Sequence, residues 1–424
     1  MFENHLWTME PVGREENTVQ GKNYRFTLLT PCLIRMEYRE DGKFEDRPTQ
    51  SVWNRRFDAV PHRLVKDGEG FELFTDRMHV IYSGGPFSKN SLMVKAIGGL
   101  HPFGANWYYG EEDGNLGGTA RTLDGVNGAC ALQDGILSQN GCAVLDDSKS
   151  LILTEEGWIE PRQGEGVDIY LFAYGNDYKE ALNDFYRLTG KTPMLPRYAL
   201  GNWWSRYHRY TEEEYKELVE RFEDEKLPFS VAVVDMDWHI VDDVDPKYGS
   251  GWTGYTWNKN FFPDPKGFMS WLHEHNMKIT LNVHPADGIR AYEELYPRVA
   301  EKMGIDPESE IAVQFDPADP HFMEVYLKDL HHPLEEEGVD FWWLDWQQGT
   351  VTKVPGLDPL WMLNHYHYLD SSWKGNRPLT FSRYAGVGSH RYPVGFSGDS
   401  VISWESLQFQ PYFTNTASNV GYGW

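Results

Sequence analysis

The sequence predicts an α/β chain in which a (β/α)8 barrel of the TIM type is preceded by an N-terminal β-sandwich. As far as about residue 185, short segments rich in β-branched and aromatic residues alternate in polarity and are separated by glycine-rich turns. Several short strands at this spacing are typical of a sandwich. Beyond a proline-containing linker, near-continuous apolar strands alternate with helical segments, which indicates a parallel sheet covered on both faces.

The linker KTPMLPRYALG marks the predicted domain boundary. Its prolines interrupt both helices and strands. We therefore assign residues 1–190 to the β-sandwich and residues 196–424 to the barrel. A chain of 424 residues is long enough for at least two domains with sizeable cores.

Six segments of the second half are predicted to be barrel strands, in the order YALGNWW, FSVAVVDMDWH, KITLNVHP, VDFWWLDW, RPLTFSRY and YPVGFSGDS. Helical segments such as TEEEYKELVERFEDEK lie between them. Six or seven such units in about 230 residues fit a (β/α)8 barrel better than a doubly wound sheet. No GxGxxG motif follows the first strand, which disfavours a dinucleotide-binding fold.

The composition restricts the partners and the compartment. The chain has 39 Lys and Arg residues against 64 Asp and Glu residues, a formal net charge of −25 that argues against nucleic acid or an anionic membrane as a partner. No apolar run approaches the ~20 residues that cross a bilayer, and the first residues lack the pattern of a secretory signal. Three cysteines without a CxxC pair suit a reducing compartment. We therefore expect a cytoplasmic protein. The composition leaves open whether the chain forms a homo-oligomer.

The aromatic content allows two interpretations. The chain has 17 Trp, 24 Tyr and 22 Phe, which together make 15% of its residues. Aromatic faces stack on the C–H faces of sugar rings, and carboxylates accept hydrogen bonds from sugar hydroxyls, so this composition suits a sugar-binding cleft. The same residues could equally fill a large core.

Polar residues stand at the ends of several predicted barrel strands: Asp235, Asp237, His284, Asp345, Arg383 and Asp399. In a barrel the C-terminal ends of the strands converge on one site. A single carboxylate at such a position could instead cap the next helix. Six polar residues at strand ends favour a functional site.

Two of these residues, Asp345 and Asp399, form the carboxylate pair that glycosidic bond cleavage requires. One carboxylate attacks or stabilises an oxocarbenium-like centre, and the other protonates the leaving oxygen. Aromatic residues flank the pair and could supply stacking walls and a low-dielectric setting: Trp342, Trp343, Trp346, Phe396 and Trp404. Aspartates are common in loops, so the spacing alone does not identify this pair as catalytic.

A metal site is the less favoured alternative. His365 and His367 form an HxH pair of the kind found in metal-dependent barrel hydrolases. They fall within a predicted helix, where side chains at i and i+2 diverge. His284 and Asp287 lack a clear third ligand, so we interpret them as sugar contacts or structural residues rather than metal ligands, with His284 as the candidate sugar contact. We expect neither a metal nor an organic cofactor.

Two segments resemble the catalytic motifs of glycoside hydrolase family 31, the retaining α-glucosidases, α-xylosidases and their relatives. The segment WLDWQQG is similar to the family motif WxDMNE, with Trp346, Gln347 and Gln348 in place of Met-Asn-Glu. The segment from Ser382 to Trp404 is similar to the family motif SRxxxxGxxRxxxxWxGDNxxxW. The resemblance extends from the β-rich first half to the last residue.

The resemblance implies a role for each matched residue. Asp345 corresponds to the nucleophile and Asp399 to the acid/base. Arg383 corresponds to a residue that contacts the sugar in subsite −1, Asp235 to one that binds sugar hydroxyls, and Tyr207 to an aromatic residue that shapes the pocket.

The implied activity is double displacement on an oligosaccharide or another α-glycoside, with α-linked gluco-oligosaccharides as the first candidate. An α-galactosidase, an α-xylosidase, an α-N-acetylgalactosaminidase or a transglycosylase stays open, because WQQG departs from the commonest family pattern. A non-catalytic carbohydrate-binding protein is the alternative of a different class.

The resemblance also implies a chain truncated at its C-terminus. The family continues with a histidine-bearing HDIGG-like segment and the rest of the barrel, whereas this chain stops at ASNVGYGW. We therefore expect a barrel that is incomplete at its C-terminal end.

Overall fold

The computed structural model describes residues 7–98, 105–111 and 114–424, which divide into two compact units. The barrel unit comprises Pro193–Ala385 and Tyr392–Gly398. The β unit comprises the described residues as far as Thr192, together with Gly386–Arg391 and Asp399–Trp424. The assignment of domains to 1–190 and 196–424 stays a prediction.

The β unit is built mainly from short antiparallel strands. In chain order they are β1 (Thr18–Gln20), β2 (Tyr24–Thr30), β3 (Leu33–Tyr38), β4 (Arg63–Asp67), β5 (Gly70–Phe74), β6 (Met78–Tyr82), β7 (Leu92–Ala96), β8 (Ala105–Tyr108), β9 (Ala143–Asp146), β10 (Ile152–Leu153), β11 (Ile159–Glu160) and β12 (Val167–Phe172). One sheet has the order β1-β2-β3-β12-β9, a second has the order β4-β5-β6-β7-β8, and β10 pairs with β11. Helices α1 (Tyr178–Thr189) and α8 (Trp404–Ala417) complete the unit.

Apolar side chains from both five-stranded sheets form one core. Phe26 and Met36 from the first sheet pack in the same cluster as Val80 and Val94 from the second. In β6, buried and half-buried residues alternate because successive side chains of a strand lie on opposite faces. The other face of the first sheet packs against α1, where Phe185 is fully buried. The expectation of a β-rich N-terminal part is confirmed.

The barrel unit contains five parallel strands in sequential order: β13 (Asn202–Trp204), β14 (Phe229–Val234), β15 (Lys278–Val283), β16 (Phe341–Leu344) and β17 (Thr380–Ser382). Six α-helices lie between these strands in the chain: α2 (Glu212–Asp224), α3 (Pro265–Glu274), α4 (Tyr296–Lys302), α5 (Pro320–Val325), α6 (His332–Glu337) and α7 (Pro359–Asp370). A π-helical stretch, Tyr326–His331, joins α5 to α6. No helix in the described ranges is long and apolar enough to cross a bilayer.

Local sequence signals account for the starts of several helices. Thr211 and Glu214 form a capping box at the start of α2, in which the hydroxyl and the carboxylate satisfy each other's backbone N–H groups. Helices α3, α5 and α7 each begin with an Asp-Pro pair, at Asp264, Asp319 and Asp358. In each pair the aspartate accepts a backbone N–H and the proline occupies a position that needs no donor.

The prediction of a sixth barrel strand at YPVGFSGDS is wrong. Its segment forms an isolated parallel bridge between Ser382 and Gly395, and backbone hydrogen bonds join residues 393–396 to β17, but it is not a regular strand. Pro393 has no N–H to donate, and the glycines at 395 and 398 weaken an extended ladder. Asp399 therefore lies in a loop rather than at the end of a strand.

Candidate active site

Polar residues follow four adjacent strands of the barrel unit. Asp235 follows β14, His284 follows β15, Asp345 follows β16 and Arg383 follows β17. Because the strands are parallel, these residues lie at the same edge of the sheet. The strand-end pattern predicts this arrangement for these four residues.

The sheet face that carries the Asp345 side chain is apolar along the preceding residues of the strands. Val231, Val233, Phe341 and Trp343 share one buried cluster. Side chains two residues apart on a strand share a face, so the Asp345 side chain lies on the face that carries Phe341 and Trp343. An apolar layer therefore underlies the polar edge.

Asp345 is at the centre of the polar residues and is 5% exposed. Its Oδ1 accepts a hydrogen bond from Nη1 of Arg383. Its Oδ2 accepts from Nδ2 of Asn282 at 2.9 Å and from Nε2 of His284 at 3.1 Å. An ionised carboxylate can only accept, so the His284 tautomer that fits this contact carries its hydrogen on Nε2.

These contacts keep Asp345 ionised. Burial alone would raise the pKa of the carboxyl group, but the hydrogen bond from His284 and the charge of Arg383 outweigh it and lower the pKa to about 2. Opposite charge and hydrogen bonds to the charged form are the two effects that depress a carboxyl pKa. At neutral pH the group is a carboxylate, which suits attack on an electrophilic carbon rather than proton donation.

Arg383 links Asp345 to two of the predicted aromatic residues. Its side chain is fully buried, and Cζ lies 4.3 Å from the ring centroid of Phe396. The ring of Phe396 meets that of Trp343 edge to face, with the centroids 5.1 Å apart. A guanidinium over an aromatic face is held by a cation–π interaction. The Phe396 ring therefore helps to orient the Arg383 guanidinium toward Asp345.

His284 is covered by a loop that the sequence did not single out. The ring of Trp252 lies 4.5 Å from the ring of His284, between centroids, and Trp252 is 39% exposed. Oγ1 of Thr253 donates to the His284 carbonyl. Nδ1 of His284 is buried and has no hydrogen-bond partner among the described residues.

Asn282 and Trp252 are the two site residues that sequence reasoning missed. Asn282 stands two positions before His284 on β15, so its side chain shares a face with that histidine. A polar residue within an apolar strand is the signal that could have identified it. Trp252 stands in a glycine-rich loop, where no local pattern distinguishes it from other exposed tryptophans.

Asp235 caps the 3-10 helix Met236–Trp238, and one of its carboxylate oxygens accepts from the Met236 N–H at 2.7 Å. Next to it, Asp237 is buried and forms an ion pair with Arg209 at 3.1 Å. Burial raises the pKa of Asp237, and the charge of Arg209 opposes that shift. Two carboxylates with different surroundings therefore follow β14.

Other predicted sugar-binding residues differ widely in exposure. Tyr207 is 66% exposed, whereas Trp346 is buried. The indole N–H of Trp346 donates to the Gly349 carbonyl at 2.6 Å, and its ring centroid lies 5.3 Å from that of Phe315. These contacts give Trp346 a packing role within the barrel unit.

Asp399 and Trp404 belong to the β unit. Asp399 is exposed, and its backbone N–H donates to Oδ1 of Asp124 at 2.8 Å. Trp404 is the first residue of α8 and is 76% exposed. Within the barrel unit the structure brings together Asp345, His284, Arg383, Trp343 and Phe396.

The histidine pair of α7 is engaged in packing. His365 and His367 are buried, and Nδ1 of His365 is 2.7 Å from the Tyr392 hydroxyl. Over residues 7–98, 105–111 and 114–424, no group of three or more His, Cys, Asp or Glu side chains could hold a metal ion.

Comparison with known proteins places these features in a family. An alpha-xylosidase of Saccharolobus solfataricus is 25% identical over 308 residues, which cover 65% of this chain and 39% of the relative. Alpha-glucosidase 2 of Bacillus thermoamyloliquefaciens is 24% identical over 286 residues, which cover 58% of this chain and 34% of the relative. The chain thus spans well under half the length of these two relatives.

Solved structures share the fold. The GH31 dextranase of Flavobacterium johnsoniae, complexed with glucose, matches 95% of this chain and 58% of its own, with a TM-score of 0.67 and 17% identity. A GH31 alpha-xylosidase from a soil metagenome, complexed with xylose, matches 99% of this chain and 71% of its own, with a TM-score of 0.66 and 15% identity. Identities this low show the fold alone.

The family model described as the TIM-barrel domain of glycosyl hydrolases family 31 matches residues 192–424, more than half of the chain. This match confirms the predicted family and the prediction of a TIM-type barrel domain. The chain belongs to glycoside hydrolase family 31.

Proposed function

We propose that this chain carries the catalytic site of a retaining α-glycoside hydrolase that acts on α-linked gluco-oligosaccharides. The observation that carries the proposal is the buried Asp345 carboxylate, which Arg383, Asn282 and His284 keep ionised. A carboxylate that stays charged within a mostly buried site is suited to attack an anomeric carbon. Relatives that are α-glucosidases support the choice of glucosides.

In the proposed reaction Asp345 attacks the anomeric carbon, and the bond from that carbon to the leaving oxygen breaks. Asp399, protonated at the start, gives its proton to that oxygen. The product of this step is a glycosyl ester on Asp345 and a free alcohol. Asp399, now a carboxylate, takes a proton from water, whose oxygen displaces Asp345 and restores the α configuration.

We propose that the remaining predicted residues bind the sugar. Asp235 and Arg383 would accept from and donate to hydroxyls and hold the ring in reacting geometry. The residues assigned to contact or enclose the substrate are Tyr207, His284, Trp343, Trp346, Phe396 and Trp404. Of these, the exposed Tyr207 and Trp404 suit contact with substrate as it enters. The buried Trp346 suits a packing position beneath the residues that contact the sugar.

α-Xylosidase activity is the second candidate. Several relatives are α-xylosidases, including the enzyme of Saccharolobus solfataricus. A xyloside lacks the hydroxymethyl group of a glucoside, so this CH2OH group decides between the two. Its methylene is worth about 1–3 kcal/mol in a fitted pocket, and a hydrogen bond from the site to its hydroxyl adds to that preference.

The first test is hydrolysis of a panel of 4-nitrophenyl α-glycosides by the full chain: glucoside, xyloside, galactoside and N-acetylgalactosaminide. We expect the glucoside to be the preferred substrate and to give α-glucose as the first product. Preference for the xyloside would transfer the proposal to the second candidate. Sugar binding without turnover of any substrate would contradict a catalytic role.

The second test assigns the two carboxylates separately by azide rescue with an activated α-glucoside. In Asp345→Ala, azide would replace the nucleophile and give the β-glucosyl azide. In Asp399→Ala, azide would attack the intermediate on Asp345 and give the α-glucosyl azide. Asp316→Ala is the matched control, since this aspartate contacts Lys353 outside the predicted site. If Asp345→Ala gave the α-glucosyl azide and Asp399→Ala the β-glucosyl azide, the assignment of nucleophile and acid/base would be reversed.

A further inference from the structure

An apolar core fixes residues 120–132 of the β unit against helix α8. Leu123 is buried in one cluster with Phe409 and Phe413 of α8, and Val126 and Trp424 pack against the same cluster. Close-packed side chains leave little freedom for the backbone that carries them. The residues next to Leu123 are therefore held in one position relative to α8.

Residues 123–126 form a tight turn that carries a carboxylate. The Val126 N–H donates to the Leu123 carbonyl at 3.0 Å, and Gly125 has a φ of +67°. A glycine at the third position of a turn adopts this conformation without strain. The N–H of Asp124, the second residue of the turn, donates to Oγ1 of Thr122 at 3.0 Å. Asp124 thus lies in a turn that backbone and side-chain hydrogen bonds close.

The turn is hydrogen-bonded to the backbone of Asp399 on both sides. Oδ1 of Asp124 accepts from the Asp399 N–H at 2.8 Å. The Gly125 N–H donates to the Asp399 carbonyl at 2.8 Å. The next pairs continue along the two segments: the Val401 N–H to the Val126 carbonyl at 2.9 Å, Oγ of Ser403 to Oδ1 of Asn127 at 2.6 Å, and the Gly128 N–H to Oγ of Ser406 at 3.0 Å.

Asp399 has no regular element of its own to position it. It is exposed, lies in neither a strand nor a helix, and follows Gly398, whose φ is +96°. A glycine in this region leaves the following peptide with wide conformational freedom. The contacts with the turn at 123–126 therefore hold both the N–H and the carbonyl of Asp399 within the β unit.

We propose that Asp124 is a positioning residue for Asp399, and that the 123–126 turn sets where the Asp399 carboxyl group stands for proton transfer. The inference rests on the proposed function, in which Asp399 protonates the leaving oxygen. A general acid works only within hydrogen-bond reach of the atom it protonates. A displacement of about 1 Å in such a group can cost a hundredfold in rate.

The dependence on the leaving group separates this role from a merely structural one. A leaving group such as 2,4-dinitrophenolate departs without a proton, whereas a sugar alcohol needs one. Misplacement of the acid therefore slows cleavage of a disaccharide more than cleavage of the dinitrophenyl glycoside. General loss of folded protein slows both equally.

The test compares Asp124→Ala and Asp124→Asn on these two substrates, with the glycone that the panel selects. Asp124→Ala removes the acceptor for the Asp399 N–H, so kcat/KM for the disaccharide should fall about tenfold more than for the dinitrophenyl glycoside. Asp124→Asn retains a carbonyl oxygen that can accept the same N–H and should stay close to wild type. Asp67→Ala, at an exposed hairpin residue of β4, is the matched control.

Gly125→Ala is a second variant that keeps the Asp124 side chain. A Cβ at residue 125 meets no atom within 4 Å, so the substitution strains only the backbone of the turn. It should show the same selective loss on the disaccharide. An equal loss on both substrates in the folded Asp124→Ala and Gly125→Ala proteins would overturn the proposal.

Asp399→Ala distinguishes failure of this inference from failure of the proposed function. Selective loss in Asp399→Ala without selective loss in Asp124→Ala would contradict the positioning role and leave the acid/base assignment in place. Absence of selective loss in Asp399→Ala itself would contradict the assignment of Asp399, and the positioning role with it.

Discussion

Nε2 of His284 lies 3.1 Å from Oδ2 of Asp345. Asn282, two residues earlier on the same strand, donates to the same oxygen at 2.9 Å. Alternate residues of a strand share a face, so β15 presents two donors side by side to the carboxylate that follows β16. Arg383, which follows the strand on the other side, donates to Oδ1. The two neighbouring strands therefore hold Asp345 between them as a charged group.

Loss of the His284 donor should move the acidic limb of the kcat/KM profile to higher pH. With the pKa of Asp345 lowered to about 2, protonation of the nucleophile limits kcat/KM only in strong acid. A hydrogen bond to a charged group contributes about 1.5–3 kcal/mol, which corresponds to about one to two pKa units. His284→Phe should therefore raise the apparent pKa of the acidic limb by that amount, as kcat/KM measured against pH would show. His275→Phe, whose ring contacts Glu223 instead, should leave the limb unchanged.

Asn282→Asp should have a larger effect through charge. The substitution keeps the shape of the side chain and places a second carboxylate at the 2.9 Å contact with Asp345. Two carboxylates at this distance cannot both ionise easily, so one of the pair takes up a proton at a much higher pH. We expect kcat/KM at pH 6 to fall sharply and to recover as the pH rises. Activity in Asn282→Asp that follows the wild-type pH profile would contradict the contact.

Arg383→Met should destabilise the barrel unit because it leaves the buried Asp345 charge without its cation. Breaking a buried ion pair at one partner costs about 3–5 kcal/mol. The Asp345→Asn/Arg383→Met double variant removes that charge as well, so its free energy of unfolding should be higher than that of Arg383→Met alone. Denaturant unfolding of the four proteins in the cycle measures the coupling. Additive losses would mean that the two side chains do not interact in solution.

Buried histidines should make the chain lose stability in acid. His239 and His331 are fully buried, and burial lowers the pKa of each from 6.5 to about 3. Burial, followed by the charges of His331 and His332, lowers the pKa of His367 as well. Because the folded pKa is the lower one, the unfolded state binds the proton first, and stability falls as the pH drops from 6.5 toward 3.

Each such histidine contributes a slope of at most about 1.4 kcal/mol per pH unit. His367→Gln removes one titrating group, so its free energy of unfolding should change less between pH 7 and pH 5 than that of the wild type. Urea unfolding at the two pH values gives both slopes. His321→Gln, at an exposed position, should retain the wild-type slope, and an unchanged slope in His367→Gln would contradict the prediction.

The parts of the site that the sequence predicted are those that a local pattern determines. His284, Asp345 and Arg383 each follow an apolar strand directly, so their position at the edge of a parallel sheet follows from the strand assignment. Trp343 alternates with Asp345 on the same strand, which puts both side chains on one face. Phe396 stands within the second motif segment, and its ring contacts Arg383.

The parts that the sequence missed depend on contacts between distant segments. Asn282 stands within a run of apolar residues, and only the register of β15 against β16 brings it to Asp345. The strand predicted at YPVGFSGDS fails because Pro393 and the glycines favour a loop, which no periodicity revealed. The association of residues 120–132 with α8 joins segments almost 300 positions apart, and nothing in either segment alone indicates the other.

The most direct test of the central claim is covalent labelling with 5-fluoro-α-D-glucopyranosyl fluoride, or the matching xylosyl fluoride if the panel favours xylosides. The fluorine slows breakdown of the glycosyl-enzyme intermediate, so mass spectrometry of the digested protein can locate the sugar. We predict one adduct, on the peptide that contains Asp345, and none in Asp345→Asn. An adduct on another carboxylate of the active wild-type chain, with Asp345 unmodified, would contradict this prediction.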